Sequence, residues 1–167
     1  MKNLLLFILF TFSIPNGNAQ AELKSQVNQT LDAWHKAASE ANYNRYFDAM
    51  ADDAIFIGTD ATEKWTKPAF QAYAKPHFDK GKAWSFTALE RHIYFNDNKT
   101  LAWFDELLDT QMKICRGSGV LVIQKGKWKI QHYVLSMTIP NDTSDAVVKI
   151  KSPIEEILIS ELKDKKK

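Results

Sequence analysis

From Ala83 onward the sequence changes texture, and that change limits the folds open to it. Four long segments rich in β-branched and aromatic residues follow one another, roughly Trp84 to Phe95, Thr100 to Thr110, Met112 to Gln124 and Trp128 to Ile139. Asn96-Asp97-Asn98-Lys99 and Lys125-Gly126-Lys127 supply tight hairpin turns. Strands joined in this way pair as antiparallel neighbours. The segments before Ala83 carry helical spacing instead. Helices first and a long antiparallel sheet afterwards make an α+β order, not alternating βαβ.

Leu23, Val27, Leu31, Trp34, Ala38 and Ala41 recur every three or four residues, with Glu22, Lys24, Gln26, Asp32 and Lys36 between them. This predicts an amphipathic helix of about five turns. Asn42 and Asn44 interrupt it, and Tyr43 to Met50 predicts a second short helix with Tyr46, Phe47 and Met50 inward. Ala54-Ile55-Phe56-Ile57, ended by Gly58, is too short for a helix and predicts a strand. Pro68 suits the first turn of a third helix, whose apolar stripe is Phe70, Tyr73, Ala74 and Phe78. A strongly twisted sheet curled around the first helix makes a cone with an open mouth, and a cone encloses a pocket.

Lys2, the apolar run Leu4 to Phe10, and then Ser13, Pro15, Gly17 and Ala19 have the layout of a secretory signal peptide cut after Ala19. The run falls short of the about 20 apolar residues of a membrane span, so no stable membrane insertion is expected once residues 1–19 are gone. The expected product is exported, periplasmic or secreted. About 150 residues remain, enough for one core. Residues 20–142 are expected to form that domain and residues 143–167 an extension. In the extension Ser152, Pro153 and Glu155 read as a capping box that opens a last helix, carrying Ile154, Ile157, Leu158 and Leu162 into the Lys165-Lys166-Lys167 tail.

With 22 Lys and Arg against 20 Asp and Glu, a net charge of +2 is no nucleic-acid footprint. Cys115 is the only cysteine, so no intrachain disulfide can form. His35, His77, His92 and His132 are scattered without ligand-like spacing, and no phosphate-cradling or dinucleotide glycine motif occurs. Neither a metal nor a cofactor is expected.

Several stretches resemble the SnoaL-like branch of the nuclear-transport-factor-2-like superfamily, which includes ketosteroid isomerases and polyketide cyclases. They are Asp53 to Asp60 with Glu63 and Trp65, then Trp103-Phe104-Asp105-Glu106, then Cys115 to Leu121, and finally Trp128 to Ser136. The resemblance covers about residues 22 to 142 and implies a cone-shaped, curved antiparallel sheet wrapped around N-terminal helices. It also implies a homodimer paired through the open sheet face, for which Tyr133, Leu135 and Met137 are the expected residues. It does not fix a reaction, because one scaffold hosts many. The ketosteroid isomerase branch carries a catalytic carboxylate near the end of the first strand, where this chain has Gly58, so that activity is not carried over.

The residues expected to carry chemistry are His132, Asp60 and Arg116. Strand alternation puts His132 on one face with Trp128, Ile130, Val134 and Ser136, the more apolar one, where it could shuttle a proton or be a satisfied core histidine. Arg116 could meet Asp105 or Glu106 across the hairpins, either to hold an anionic or carbonyl ligand or as a structural ion pair. Asp105 and Glu106 point to opposite faces, and alternation alone does not say which is interior. Asp60 and Glu63 in the loop after the first strand, with Trp65 at its end, suit either work at the mouth or local capping. Trp34, Tyr46 and Phe56 are expected to line or fill the base.

The leading expectation is an exported protein that binds a small, mainly apolar organic ligand, as a binder or as a cofactor-free isomerase, hydratase or cyclase. The competing one is a non-catalytic dimeric interaction module with the C-terminal helix as its docking element.

Overall fold

The computed structural model describes residues 16–165. In chain order these are α1 (Asn16–Ser39), α2 (Tyr43–Asp48), β1 (Met50–Ile57), β2 (Lys64–Thr66), α3 (Lys67–Asp79), β3 (Thr87–Phe95), β4 (Leu101–Thr110), β5 (Lys113–Gln124), β6 (Lys127–Met137), a 3-10 turn Asn141–Thr143, and α4 (Ser144–Asp164). Residues 1–15, which carry most of the expected export signal, lie outside the described residues, and α1 already includes the expected cut after Ala19. Among the described residues no helix is long and apolar enough to cross a membrane.

The six strands form one curved, unclosed sheet in the order β2-β1-β6-β5-β4-β3. Neighbours are antiparallel except β1 and β6, which run parallel. The α+β expectation holds, and the last three strands are consecutive and antiparallel as the turns require. The concave face packs on α1, α2 and α3 through rings: Trp34 stacks on Tyr46 with centroids 4.9 Å apart, Phe56 on Phe70 at 4.1 Å, and Trp34 meets Tyr133 edge-on at 4.7 Å. Each such pair contributes about 0.5–1.5 kcal/mol beyond the area it buries.

A β-bulge decides which residues face inward. Val120 pairs with His132 while Leu121 pairs with Ile130, so Gln131 is an extra residue in β6. Before it Trp128 and Ile130 are buried; after it Tyr133 and Leu135 are. The expected face shared by Trp128, Ile130, His132 and Val134 is therefore broken, because one inserted residue reverses the alternation. The expected exposure of Tyr133 and Leu135 is overturned for the same reason, and only Met137 of that trio is exposed. Gly119 sits opposite this bulge; a Cβ there would collide with the His132 carbonyl oxygen and lie 2.9 Å from Phe104.

The C-terminal helix is longer than its sequence signals suggest. Ser152 does not cap a helix start: α4 begins at Ser144, Pro153 lies inside it, and the Ser152 hydroxyl donates back to the Val148 carbonyl at 2.7 Å. No residue of α4 is buried, and Val148, Ile150, Ile154, Ile157, Ile159 and Leu162 are exposed.

Candidate functional site

Among the described residues one carboxylate is buried, Glu106 on β4, only 1 % exposed between the core residues Phe104 and Leu108. Four donor atoms converge on it. Oε1 accepts from His35 Nε2 on α1 at 2.9 Å and from the Tyr133 hydroxyl on β6 at 3.1 Å. Oε2 accepts from Arg91 Nε on β3 at 2.8 Å, and Arg91 Nη2 approaches it at 2.8 Å. Arg91 then reaches Asn28 at 3.0 Å and Asp32 at 2.8 Å, both on α1. Burial alone would raise the Glu106 pKa, but the hydrogen bonds from His35 and Arg91 and the Arg91 charge outweigh it and hold the group below its ordinary 4.5. Burial, then the Glu106 charge, pushes the Tyr133 phenol well above its ordinary range, so it stays a donor. The sheet register builds this: β3 slips between Ala88 and Glu90, which puts Arg91 directly opposite Glu106.

A separate pocket of about 150 Å³ opens at the mouth of the cone. Its walls are aromatic, with Phe56, Trp65, Phe70, Tyr73, Trp84 and Phe86. Met112 and Leu135 add apolar surface, and Thr59, Glu63 and Gln111 the polar groups. Trp65 lies on β2, a short strand paired with β1, and stacks on Phe70 and Tyr73 at 5.5 and 4.8 Å. Gly58 has to be glycine for Glu63 to fold back: a Cβ there would overlap the Glu63 carboxylate and lie 3.0 Å from its Cβ. Glu63 Oε2 also accepts from the Asp60 amide at 3.2 Å.

The expected site residues divide between these places. Phe56, Glu63 and Trp65 line the mouth pocket. Asp60 does not; its Oδ1 accepts from the Thr62 hydroxyl at 2.5 Å and amide at 2.8 Å, bonds that hold its carboxyl below the ordinary range. These bonds fix the local turn, and Asp60 also borders a cleft shared with Ile154, Glu155 and Leu158 of α4. Trp34 and Tyr46 are fully buried in the aromatic core. Glu106 is the interior acid, and Asp105 faces outward, where it accepts from His92 Nδ1 at 3.0 Å. Arg116 is exposed, paired with Leu107 and Ser136, so the expected guanidinium–carboxylate pair exists but is made by Arg91. His132, on the opposite face from its buried neighbour Tyr133, is half-buried and sits with Arg116 on the outer surface of the sheet. The structure thus does not bring Asp60, Arg116 and His132 together. Sequence reasoning missed His35, Arg91 and Tyr133. One signal was available for His35, since it lies four residues after Leu31 on the buried face of α1.

The geometry has parallels among solved structures. An NTF2-like protein of unknown function from Pseudomonas putida KT2440 is similar over 74% of this chain and 92% of its own, with 17% identity and a TM-score of 0.61. A protein provisionally named a scytalone dehydratase from Novosphingobium aromaticivorans DSM 12444 covers 74% of this chain and 89% of its own, at 11% identity and TM-score 0.62. A protein provisionally named a calcium/calmodulin dependent protein kinase II association domain from Xanthomonas campestris covers 69% and 86%, at 19% and 0.52. At these identities the likeness shows the fold alone. No curated protein matches the sequence significantly. The family profile described as a SnoaL-like domain matches residues 27–140, and with the cone, its order of helices and strands and its mouth pocket in place, the chain belongs to the SnoaL-like domain family.

Proposed function

We propose that the chain is an exported protein that holds a compact, mainly apolar ring compound in its mouth pocket. The observation that carries this is the lining: six aromatic side chains around one carboxylate in about 150 Å³. An apolar cavity of about that size accommodates a single benzene-sized ring. Glu63 disfavours a ligand carboxylate and suits a hydroxyl, amine or amide donor. Export is supported by Lys2 and the apolar run Leu4 to Phe10.

The pocket holds one carboxylate, so any cofactor-free isomerase or hydratase activity would use Glu63 as its base. The test is a melting-temperature screen of the purified chain against indole, benzyl alcohol, benzylamine and benzoate. A rise with the first three that Trp65→Ala abolishes supports the reading. No rise with any of them, or a rise that Trp65→Ala leaves intact, contradicts it. Glu63→Gln then separates roles, since an enzyme keeps binding and loses turnover.

A second reading rests on α4, whose exposed isoleucines and leucine have no cover among the described residues. In it the chain is a homodimeric interaction module. The outer sheet face, with Trp103, Tyr94, Val120 and Val134, supplies the pairing surface. Light scattering of the full chain and of a variant lacking residues 143–167 tests it. A change of oligomeric state on truncation favours the module, and identical behaviour removes α4 from the account.

A further inference from the structure

A second cleft, of about 280 Å³, lies between α1 and the start of β3, apart from the mouth pocket. Asp32, His35, Lys36, Ser39, Ser85 and Phe86 line it, and Phe86 is shared with the lining of the mouth pocket. His35 is the buried residue of the cleft: its side chain is 6 % exposed and its Nε2 is bound to Glu106. The opposite ring nitrogen, Nδ1, makes no hydrogen bond among the described residues. Phe86 stands edge-on to the imidazole, centroids 6.0 Å apart.

We infer that this cleft is a second ligand site, for compact aromatic or enolic compounds with an acidic hydroxyl, and that His35 is the proton acceptor in it. With Nε2–H donated to Glu106, a neutral imidazole presents its lone pair at Nδ1. A ligand ring packs against Phe86 and its hydroxyl meets Nδ1. The O–H bond then breaks, the proton passes to Nδ1, and the electron pair stays on the ligand oxygen as phenolate or enolate. No other reactant is consumed. Glu106 remains ionised, because Arg91 and Tyr133 also donate to it, and it stabilises the imidazolium formed. The other charges facing the site are Asp32, which is paired with Arg91, and Lys36 at the rim, whose ammonium adds attraction for the anion.

The probe is 4-nitrophenol, whose neutral and ionised forms absorb at different wavelengths, added to the full chain. In the wild type the bound dye should be about tenfold richer in phenolate than free dye at the same pH, the effect of one nearby opposite charge. His35→Gln keeps a donor toward Glu106 but no basic nitrogen, and should bind dye without the enrichment. Trp65→Ala, which alters only the mouth pocket, should leave the enrichment intact, so failure here is distinct from failure of the mouth-pocket reading. Equal enrichment in His35→Gln, loss of it in Trp65→Ala, or none in the wild type overturns the inference. Should His35→Gln not fold, nitrogen NMR of the wild-type histidines decides: one imidazole must move to the charged form on dye addition while those of surface His77 and His92 do not, and no such movement overturns it.

Discussion

Replacing Glu106 by glutamine keeps the shape of the interior and removes its one negative charge. His35, Tyr133 and Arg91 all point donors at that carboxylate, at 2.8–3.1 Å. An amide offers one acceptor oxygen and turns an NH2 toward donors already in place. Breaking one partner out of a buried ion pair costs about 3–5 kcal/mol. Arg91 keeps Asp32 at 2.8 Å, which places the loss near the lower end, about 3 kcal/mol. For a chain of this size that lowers the melting temperature by about 10 °C. The pH dependence follows from the lowered Glu106 pKa. A carboxylate whose folded-state pKa lies below its unfolded value stabilises fully above the unfolded value, here 4.5, and loses that contribution as pH falls through the folded pKa. The gap between wild type and Glu106→Gln should therefore be flat at neutral pH and close in acid. Urea unfolding followed by tryptophan fluorescence at a series of pH values measures it. A Glu106→Gln protein within about 0.5 kcal/mol of wild type, the usual range for a harmless surface change, would refute the reasoning, as would a gap that persists unchanged in strong acid.

Other consequences are as direct. Gly119→Ala pushes a methyl into backbone and the Phe104 ring and should cost about 1–3 kcal/mol in urea unfolding, whereas Gly58→Ala meets only the Glu63 side chain, from its carboxylate back to its Cβ, and should mainly weaken ligand binding at the mouth. Pro153→Ala removes a proline from the interior of α4 and should raise helicity by circular dichroism while leaving the core's melting temperature unchanged, since no residue of α4 belongs to the buried core. His92, hydrogen-bonded to Asp105 and close to Glu90 at 3.1 Å, should titrate above its ordinary 6.5 by proton NMR, and Asp105→Asn should bring it back down.

The parts of the fold visible in the sequence are those written locally. The turns at Asn96 to Lys99 and Lys125 to Lys127, and the helical spacing that starts at Leu23, each depend on a few neighbouring residues and lie where expected, except that α1 ends at Ser39, short of the expected Ala41. What failed depends on register. The extra Gln131 moves His132 from the inner face to the outer one, and nothing in the local residue pattern announces a bulge. The slip in β3 that sets Arg91 opposite Glu106 is equally silent, so the guanidinium–carboxylate pair was given to Arg116. Ser152-Pro153-Ile154-Glu155 has the composition of a helix start, yet α4 begins eight residues earlier, at Ser144, and tolerates the proline because that stretch is exposed. At the mouth pocket, Glu63 and Trp65 are legible because they follow Gly58 closely in sequence, whereas Phe56, expected at the base, lines the mouth instead, and His35 and Tyr133 meet Glu106 only through folding.

The most direct test of the mouth pocket as a ligand site is to purify the chain from the cells that produce it, denature it and identify the released small molecules by mass spectrometry, beside a Glu63→Ala, Trp65→Ala variant. The account predicts one compact ring compound with a hydrogen-bond donor, released by the wild type and absent from the variant. The same compound released in equal amount from both, or none from either, would contradict it.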